Sequence, residues 1–485
     1  MEIKENNLTL YNSLSRKKER FEPLHPGFVG IYVCGPTVYG DSHLGHAKSY
    51  ISFDVIVRYF RYLGYKVRYV QNITDVGHLQ SDADEGDDKI QVQARLERLE
   101  PMEVVERYTR SYFEDMDALN VLRPDISPRA SGHIPEQIEM AETLIKKGFA
   151  YEVDGNVYFS VEKYPEYGKL SGRSLDDLKS GTRVNVAGDK KHPADFALWK
   201  KADPDHIMKW NSPWGSGYPG WHLECSCMSS KYLGETFDIH GGGMENKFPH
   251  HECEIAQSEA ANEKPFARYW LHNNMVTVDG VKMGKSLGNF ITLKDAFGKN
   301  SPMEIRFFIL GSHYRSTLDF SEEALHGAAS GWRKIQSFSE RLKRVKGREG
   351  TEEGKLTVLT RQYIQAFRQS MDDDFNTPRA IAATFDYIRQ ATPVLEKGGV
   401  GAGELDHSRE TFKTFTADIL GLKAETNTLE NSDNHFEEIM QLILQLRDRM
   451  RKEKNWETAD FIRDELAKQG IVIKDTPWGT VWEYK

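Results

Sequence analysis

The sequence predicts an α/β protein: a Rossmann-like parallel-sheet domain split by a connective insertion, followed by an all-α domain and a small C-terminal module. Three features carry this expectation. The opening hundred residues alternate strand and helix patterns. That texture is interrupted between about 120 and 215 and then resumes, and from about 320 onward the periodicity is almost wholly helical.

FVGIYVCGP (28–36) is a short apolar, β-rich run stopped by Gly-Pro, a strand and its end. HAKSYISFDVIVRYFRYLG (46–64) has helical periodicity and closes on Gly64, a C-cap residue. KVRYVQNITD (66–75) reads as a second strand, so the three make a βαβ unit with ligands expected beyond the strand C-terminal ends. The interruption mixes short strands and turns, as in SPRASGHIPEQ and NSPWGSGYPG. The earlier pattern resumes with GETFDIHGGG (234–243) and continues to YWLHNNMVTVDGVKM (269–283). The helical part breaks at GGVGAGE (398–404), and a polar linker around ETNTLENSDNH (425–435) precedes a last module ending in KDTPWGTVWEYK. The expected boundaries are 1–120 and 216–320 for the two halves of the sheet domain, 121–215 for the insertion, 321–425 for the helical bundle and 426–485 for the last module.

Composition fits a soluble globular enzyme of two to four domains at roughly 150 residues each: 485 residues, 39% hydrophobic, 28% charged and 11% aromatic. No window approaches 18 consecutive apolar residues, so no membrane span is expected, and the polar start without an apolar signal core points to the cytoplasm. The four cysteines, Cys34, Cys225, Cys227 and Cys253, are too few to staple such a chain. A net charge of −9 argues against a uniformly basic nucleic-acid surface. Locally, residues 333–348 carry Arg333, Lys334, Arg341, Lys343, Arg344, Lys346 and Arg348 against Glu340, which suits either an RNA-facing patch or a solvated helix face.

Directly after the first strand comes TVYGDSHLGH (37–46), which places His43 and His46 three apart at a helix N-terminus. The positive end of the helix favours an anion there, and Gly45 lets a planar base come close to the backbone, a combination suited to a nucleotide phosphate. The bland alternative is that both histidines cap or pack. Lys282 lies 236 residues after His46 and opens KMGKSLGN, a short basic loop whose Lys282 and Lys285 can close over a triphosphate. Cys34 at the first strand end, Cys225 after Trp221-His222-Leu223-Glu224, and His250 with Glu254 one turn apart on a helix form a plausible zinc set. His251, Cys253 and Cys227 compete on spacing, and a buried thiol cluster is the alternative to any metal.

HLGH and KMGKS resemble the paired signatures of class I aminoacyl-tRNA synthetases. YVCGPTVY, GWHLECS, DIHGGG, FPHHECEIAQSE and KMGKSLGNF together look like the cysteinyl branch of that family. DFALWK, DDFNTPRA and ADFIRDELAKQGIVIKDTPWGTVW extend the match over about residues 8–485. The resemblance implies ATP-dependent activation of L-cysteine to an adenylate and its transfer to the terminal ribose of tRNA(Cys). It implies Zn2+ on Cys34, Cys225, His250 and Glu254, with Cys227 and Cys253 as bystanders, so that the metal takes the substrate thiolate and discriminates against serine. ATP and Mg2+ would meet His43, Gly45, His46, Gly242, Lys282 and Lys285, and Cys34, Thr74 and Trp221 would surround the amino acid. The helical bundle would support the tRNA stem, and the last module would read the anticodon, with Arg447, Arg449, Arg451, Lys452 and Lys454 as candidates. A monomer is expected.

Three features depart from the family pattern: Gly284 where serine is usual, Glu245 where aspartate is common after HGGG, and a long acidic NITDVGHLQSDADEGDDKI (72–90). Two rival functions share parts of the pattern. A tRNA-independent cysteine ligase would lack the last module, and a silent RNA-binding paralogue would not need the histidines, Lys285 or the zinc set.

Overall fold

Phe28–Val33, Lys66–Gln71, Phe237–Gly243 and Ala267–Asn273 form the central sheet. They are seen in a computed structural model that describes residues 3–76, 89–174, 189–284, 287–349, 354–423, 432–476 and 479–484. All four strands are parallel, in the spatial order Ala267–Asn273, Phe237–Gly243, Phe28–Val33, Lys66–Gln71. Most of their side chains are buried, and Phe28–Val33 accordingly reads as an apolar run, whereas the edge strand Lys66–Gln71 exposes Lys66 and Arg68. Strand order reverses between Phe28–Val33 and Phe237–Gly243, so the crevice past Val33 and Gly243 is the topological switch point where such sheets bind ligands.

The crossover helix Leu44–Tyr62 ends as expected, with Gly64 at φ +97 and its N–H donating to the carbonyl of Arg61 (3.0 Å). It is not a one-sided helix, however. Every residue from Tyr50 to Phe60 is buried, because the helix also packs against Pro302–Leu310 and Thr414–Ile419 of the later helices. Three charged side chains are buried with it: Lys48, Asp54 and Arg58. Lys48 Nζ is held by the carbonyls of Met275 (3.2 Å) and Ser316, which ties this helix to the segment leading toward residue 282.

The interruption is an antiparallel five-stranded sheet, ordered Ala150–Val153, Asn156–Phe159, Phe196–Lys201, Gly215–Pro219 and Trp210–Ser212. Beyond residue 320 the chain is helical over Glu322–Arg344, Lys355–Asp372, Thr377–Lys397 and Ala402–Lys413. The glycine-rich break works through Gly398, which terminates the third of these at φ +71. On Glu322–Arg344 the residues Trp332, Ile335, Phe338 and Leu342 are buried, whereas Arg333, Lys334, Lys343 and Arg344 are exposed. Most of the acidic stretch at 72–90 (residues 77–88), along with Lys285, lies outside the described residues.

Residues 424–485 form a second compact unit. Within it, helices Ser432–Lys452 and Trp456–Lys468 precede an antiparallel hairpin, Ile471–Thr476 with Gly479–Tyr484. Arg447, one of the expected RNA contacts, is instead buried and engaged internally. Both its Nη1 and its Nη2 reach Asp475 (2.8 and 3.2 Å), and Arg451 joins them at 2.7 Å. The Arg447 guanidinium is the leading cause that holds the Asp475 carboxyl at about 2, below its ordinary 3.8. The native state therefore binds fewer protons than the unfolded one. The pair's contribution is present above about pH 3.8 and is lost as pH falls through about 2. Asp475→Asn should destabilise this unit by no more than about 1 kcal/mol at neutral pH, because the carboxylate is 43% exposed and screened by water. The difference from the parent should narrow in urea titrations repeated between those two pH values.

Candidate active site and metal-binding cluster

Two segments far apart in sequence close the crevice. The backbone of 42–44 pairs with that of 291–293: Leu44 N–H donates to the carbonyl of Ile291 (3.3 Å), and Leu293 N–H to that of Ser42 (2.8 Å). The resulting cleft has a volume of about 340 Å³, and its lining includes Cys34, Thr74, Trp221, Glu224, Cys225 and His250 together with His43, Gly45 and His46.

The histidines do cap the helix, and the cap fixes the orientation of both rings. Gly45 N–H donates to His43 Nδ1 (3.0 Å), and His43 N–H donates to His46 Nδ1 (3.3 Å), a reciprocal capping box. Their rings stack with centroids 3.9 Å apart. With Nδ1 accepting in both, each neutral ring carries its proton on Nε2, at a helix N-terminus that already favours negative charge. Gly45 proves necessary for a local reason: a Cβ there would lie 2.8 Å from the His43 ring. Met283 of KMGKS comes to 3.8 Å of the same position, so the two signatures meet. Asn289 braces the loop, accepting from Gly284 N–H (2.9 Å) and donating to the carbonyl of Lys282 (3.1 Å). Lys282 itself is exposed on the short strand Val281–Lys282 and does not line the cleft. Gly242 is also absent from the lining. A Cβ on it would meet the His251 ring at 2.7 Å, so its bareness makes room for that ring, and Gly243 faces the cleft in its place.

The four residues singled out as metal ligands come together. Ligand atoms of Cys34, Cys225, His250 and Glu254 all lie within 4.8 Å of one another, and all four residues are buried. His250 Nε2 is 3.0 Å from Glu254 Oε1, and the two cysteine sulfurs are 3.9 Å apart. A second group, Cys34, His240, His251 and Glu254, satisfies the same distance limit, so His251 does compete. Cys227 and Cys253 belong to neither group: Cys227 faces Met140 and Cys253 faces the Tyr167 hydroxyl.

The surroundings favour the first group. His240 Nε2 is 2.7 Å from Glu254 Oε2 while its Nδ1 is a buried atom without a partner, so His240 serves to orient the carboxylate. His222 Nδ1 similarly engages His250 Nδ1 (2.8 Å), and Trp221 stacks on the His250 ring at 4.2 Å. His251 is held from both sides, by Cys34 Sγ (3.2 Å) and His272 Nε2 (2.9 Å). Cys34, Cys225 and His250 line the cleft, whereas His240 and His251 do not. Burial pushes the Cys34 thiol up and the Cys225 thiol to about 12, and it pulls His272 down to about 3. Thiols in such a setting deprotonate on binding a divalent cation and release protons. Two sulfurs, one imidazole and one carboxylate, converging and oriented by outer partners, fit zinc by donor type.

Glu224, His240 and His272 carry no expected role from sequence: Glu224 adjoins Cys225 and His240 precedes the glycine run, but their partners lie in segments distant in the chain. Thr74, expected near the amino acid, donates its hydroxyl to Glu224 Oε1 (2.6 Å).

Residues 20–330 match the catalytic domain of class I (C) tRNA synthetases, 366–425 a DALR domain, and 433–482 a cysteinyl-tRNA ligase anticodon-binding domain. The chain is 58% identical to the cysteine–tRNA ligase of Chlorobium luteolum, over 98% of this chain and 99% of that protein. It is 52% identical to that of Deinococcus radiodurans, over 98% and 97%. In fold it is similar to the methionyl-tRNA synthetase of Mycobacterium tuberculosis in complex with methionyl-adenylate (TM-score 0.55, 14% identity, covering 81% of this chain and 89% of that one). It is also similar to the LeuRS of Agrobacterium radiobacter in a ternary complex with tRNA (TM-score 0.60, 12% identity, 82% and 85%). The likeness over the whole chain, on a sheet whose switch point carries both signature segments, means that this protein belongs to the class I cysteine–tRNA ligase family.

Proposed function

We propose that this ligase, which activates cysteine with ATP and transfers it to tRNA, selects its amino acid through one zinc ion held by Cys34, Cys225, His250 and Glu254. The observation that carries the reading is the convergence of those four ligand atoms at the amino-acid end of the cleft, three of the four residues forming its wall. When bound, the zinc supplies a soft site for a substrate thiolate that a serine hydroxyl of nearly the same size does not match. An apolar pocket separates such near-isosteres by only about 10²-fold.

The chain's own residues do the rest. Trp221 and Thr74 flank the amino acid. His43 and His46 point Nε2–H donors at the negative charge that develops on the α-phosphate, reinforced by the helix N-terminus. Lys285 and Lys282 of the KMGKS loop neutralise the departing pyrophosphate, with Mg2+ as the companion cation, and Gly45 and Gly243 admit the nucleotide. We assign residues 121–215 as the connective insertion and the bundle over 321–425, with its exposed Arg333, Lys334, Lys343 and Arg344, as support for the tRNA stem. The unit from 426 reads the anticodon, with Arg449, Lys452 and Lys454 as the exposed cations that remain. The enzyme acts as a monomer in the cytoplasm, where its four thiols stay reduced. Among the described residues no helix is long and apolar enough to cross a membrane.

Metal analysis of the purified protein should find one zinc per chain, and its removal by chelation should abolish cysteine-dependent pyrophosphate exchange. Full exchange activity without zinc would refute the reading. His46→Asn keeps an acceptor for the cap but loses the imidazole. It should lower kcat of exchange by about 10²–10³ with zinc content unchanged, as measured by isotope exchange at saturating substrates.

A further inference from the structure

Glu224 is a carboxylate with one oxygen accounted for and one not. It is 2% exposed, lies on the helix Trp221–Leu233 immediately before Cys225, and lines the cleft. Oε1 accepts the Thr74 hydroxyl proton (2.6 Å), while Oε2 is buried with no hydrogen-bond partner. Buried polar atoms in native proteins are almost always paired, so an unpaired oxygen on a residue that lines the cleft calls for a ligand group.

The neighbouring hydrogen bonds state which group. Asn72 Nδ2 donates to Thr74 Oγ1 (3.1 Å), and Asn72 Oδ1 is fixed by Gly35 N–H (2.8 Å). The orientation of the chain is thus set: Asn72 donates to Thr74, and Thr74 donates to Glu224. Thr74 has spent its only proton and can offer a ligand nothing but its remaining lone pair. When ionised, Glu224 presents Oε2 as an acceptor beside Thr74 Oγ1, in a cleft wall that also holds Cys34 and Cys225. The group that matches is a multivalent cationic donor. In cysteine the α-ammonium is three bonds from the sulfur, so a thiolate held at the Cys225 end brings the ammonium to this wall.

We infer that Glu224, set by Thr74 and Asn72, is the binding residue for the α-ammonium group of the amino-acid substrate. It makes selection two-pronged, with sulfur read by the metal and the amino group by Glu224. Thiol acids without an amino group would be admitted by the metal alone and rejected here. The inference rests on the proposed capture of the thiolate by zinc.

The test is calorimetric binding of L-cysteine and of 3-mercaptopropionate, its deamino analogue, to the zinc-loaded enzyme. The parent should prefer cysteine by about 10²-fold, the scale of a charge-assisted hydrogen bond. Glu224→Gln should erase most of that preference while leaving zinc content and 3-mercaptopropionate affinity near those of the parent. Thr74→Ala, which removes the orienting hydroxyl, should erase part of it and stands as the second variant should Glu224→Gln fail to fold. Equal affinity of the parent for both ligands, or a loss shared equally by both ligands in the variants, would overturn the inference. A parent that binds neither ligand more weakly after zinc removal would instead refute the thiolate-capture reading.

Discussion

Replacing Cys225 by serine should leave the purified protein with well under one zinc per chain and lower kcat/KM for cysteine by at least about 10³. The ratio of cysteine to serine activation should fall from about 10⁴–10⁵ toward the roughly 10² that shape alone supplies. The substitution removes one of two sulfur donors from a cluster whose atoms are already within 4.8 Å of one another, and it leaves an oxygen that binds zinc weakly in its neutral form. Cys227→Ser is the matched control. Cys227 lies on the same helix and is equally buried, but its sulfur faces Met140 and the carbonyl of Glu136, both at 3.6 Å. It should lose a little stability and keep both zinc and selectivity. Pyrophosphate exchange with each amino acid, alongside metal analysis, separates the two variants.

Parts of the fold and of the cleft are legible in short segments, whereas the ligand set is what the family resemblance implies, since spacing leaves His251, Cys227 and Cys253 as competitors. The first βαβ unit announces itself through an apolar run ended by Gly35-Pro36, a long helix and Gly64, each a signal within a few residues. The helix-start histidines and the KMGKS loop are likewise short segments legible on their own. Relations between strands could not be read that way. His240, His251 and His272 acquire roles only because parallel pairing sets His240 and Gly241 beside Trp270 and Leu271, and Cys34 N–H against the carbonyl of Gly241 (3.0 Å). The family resemblance implies Gly242 at the nucleotide, and its missing Cβ also makes room for the His251 ring, a contact between a strand and a helix that no local pattern shows. The periodicity of Leu44–Tyr62 was helical, but no pattern within that segment could say that later helices cover its other face.

That second face holds the largest predicted effect on stability. Arg306→Met should destabilise the catalytic unit by about 3–5 kcal/mol, the usual result of stripping one partner from a buried ion pair. Arg306 is fully buried within the helix Pro302–Leu310. Its guanidinium donates to the carbonyls of Leu420 (2.8 Å), Leu119 (2.9 Å) and Asn120 (3.2 Å) and pairs with Asp54. Asp54 also receives Arg58 Nε (2.8 Å) and the Leu122 N–H (2.9 Å). Cutting this node takes a donor from three backbone carbonyls at once, of which Asn120 keeps Arg58 Nη2 (2.8 Å), and leaves Asp54 with Arg58 as its one cationic partner among the described residues. Because the node joins the helix that starts at the signature histidines to two later segments, activity should fall with stability while zinc content holds. Asp54→Asn should cost a comparable amount, and the double variant less than the sum, since the two share one interaction. Denaturant titrations of the parent, both single variants and the double variant provide the cycle.

The measurement closest to the central claim is zinc K-edge X-ray absorption of the purified enzyme, alone, with cysteine and with serine. Ligation by Cys34, Cys225, His250 and Glu254 predicts two sulfurs at about 2.3 Å in the free enzyme. A third sulfur should appear on adding cysteine, with no change on adding serine. A single sulfur with two imidazoles would move the ion to the deeper group of Cys34, His240, His251 and Glu254. A sulfur count that does not rise with cysteine would contradict selection by the metal.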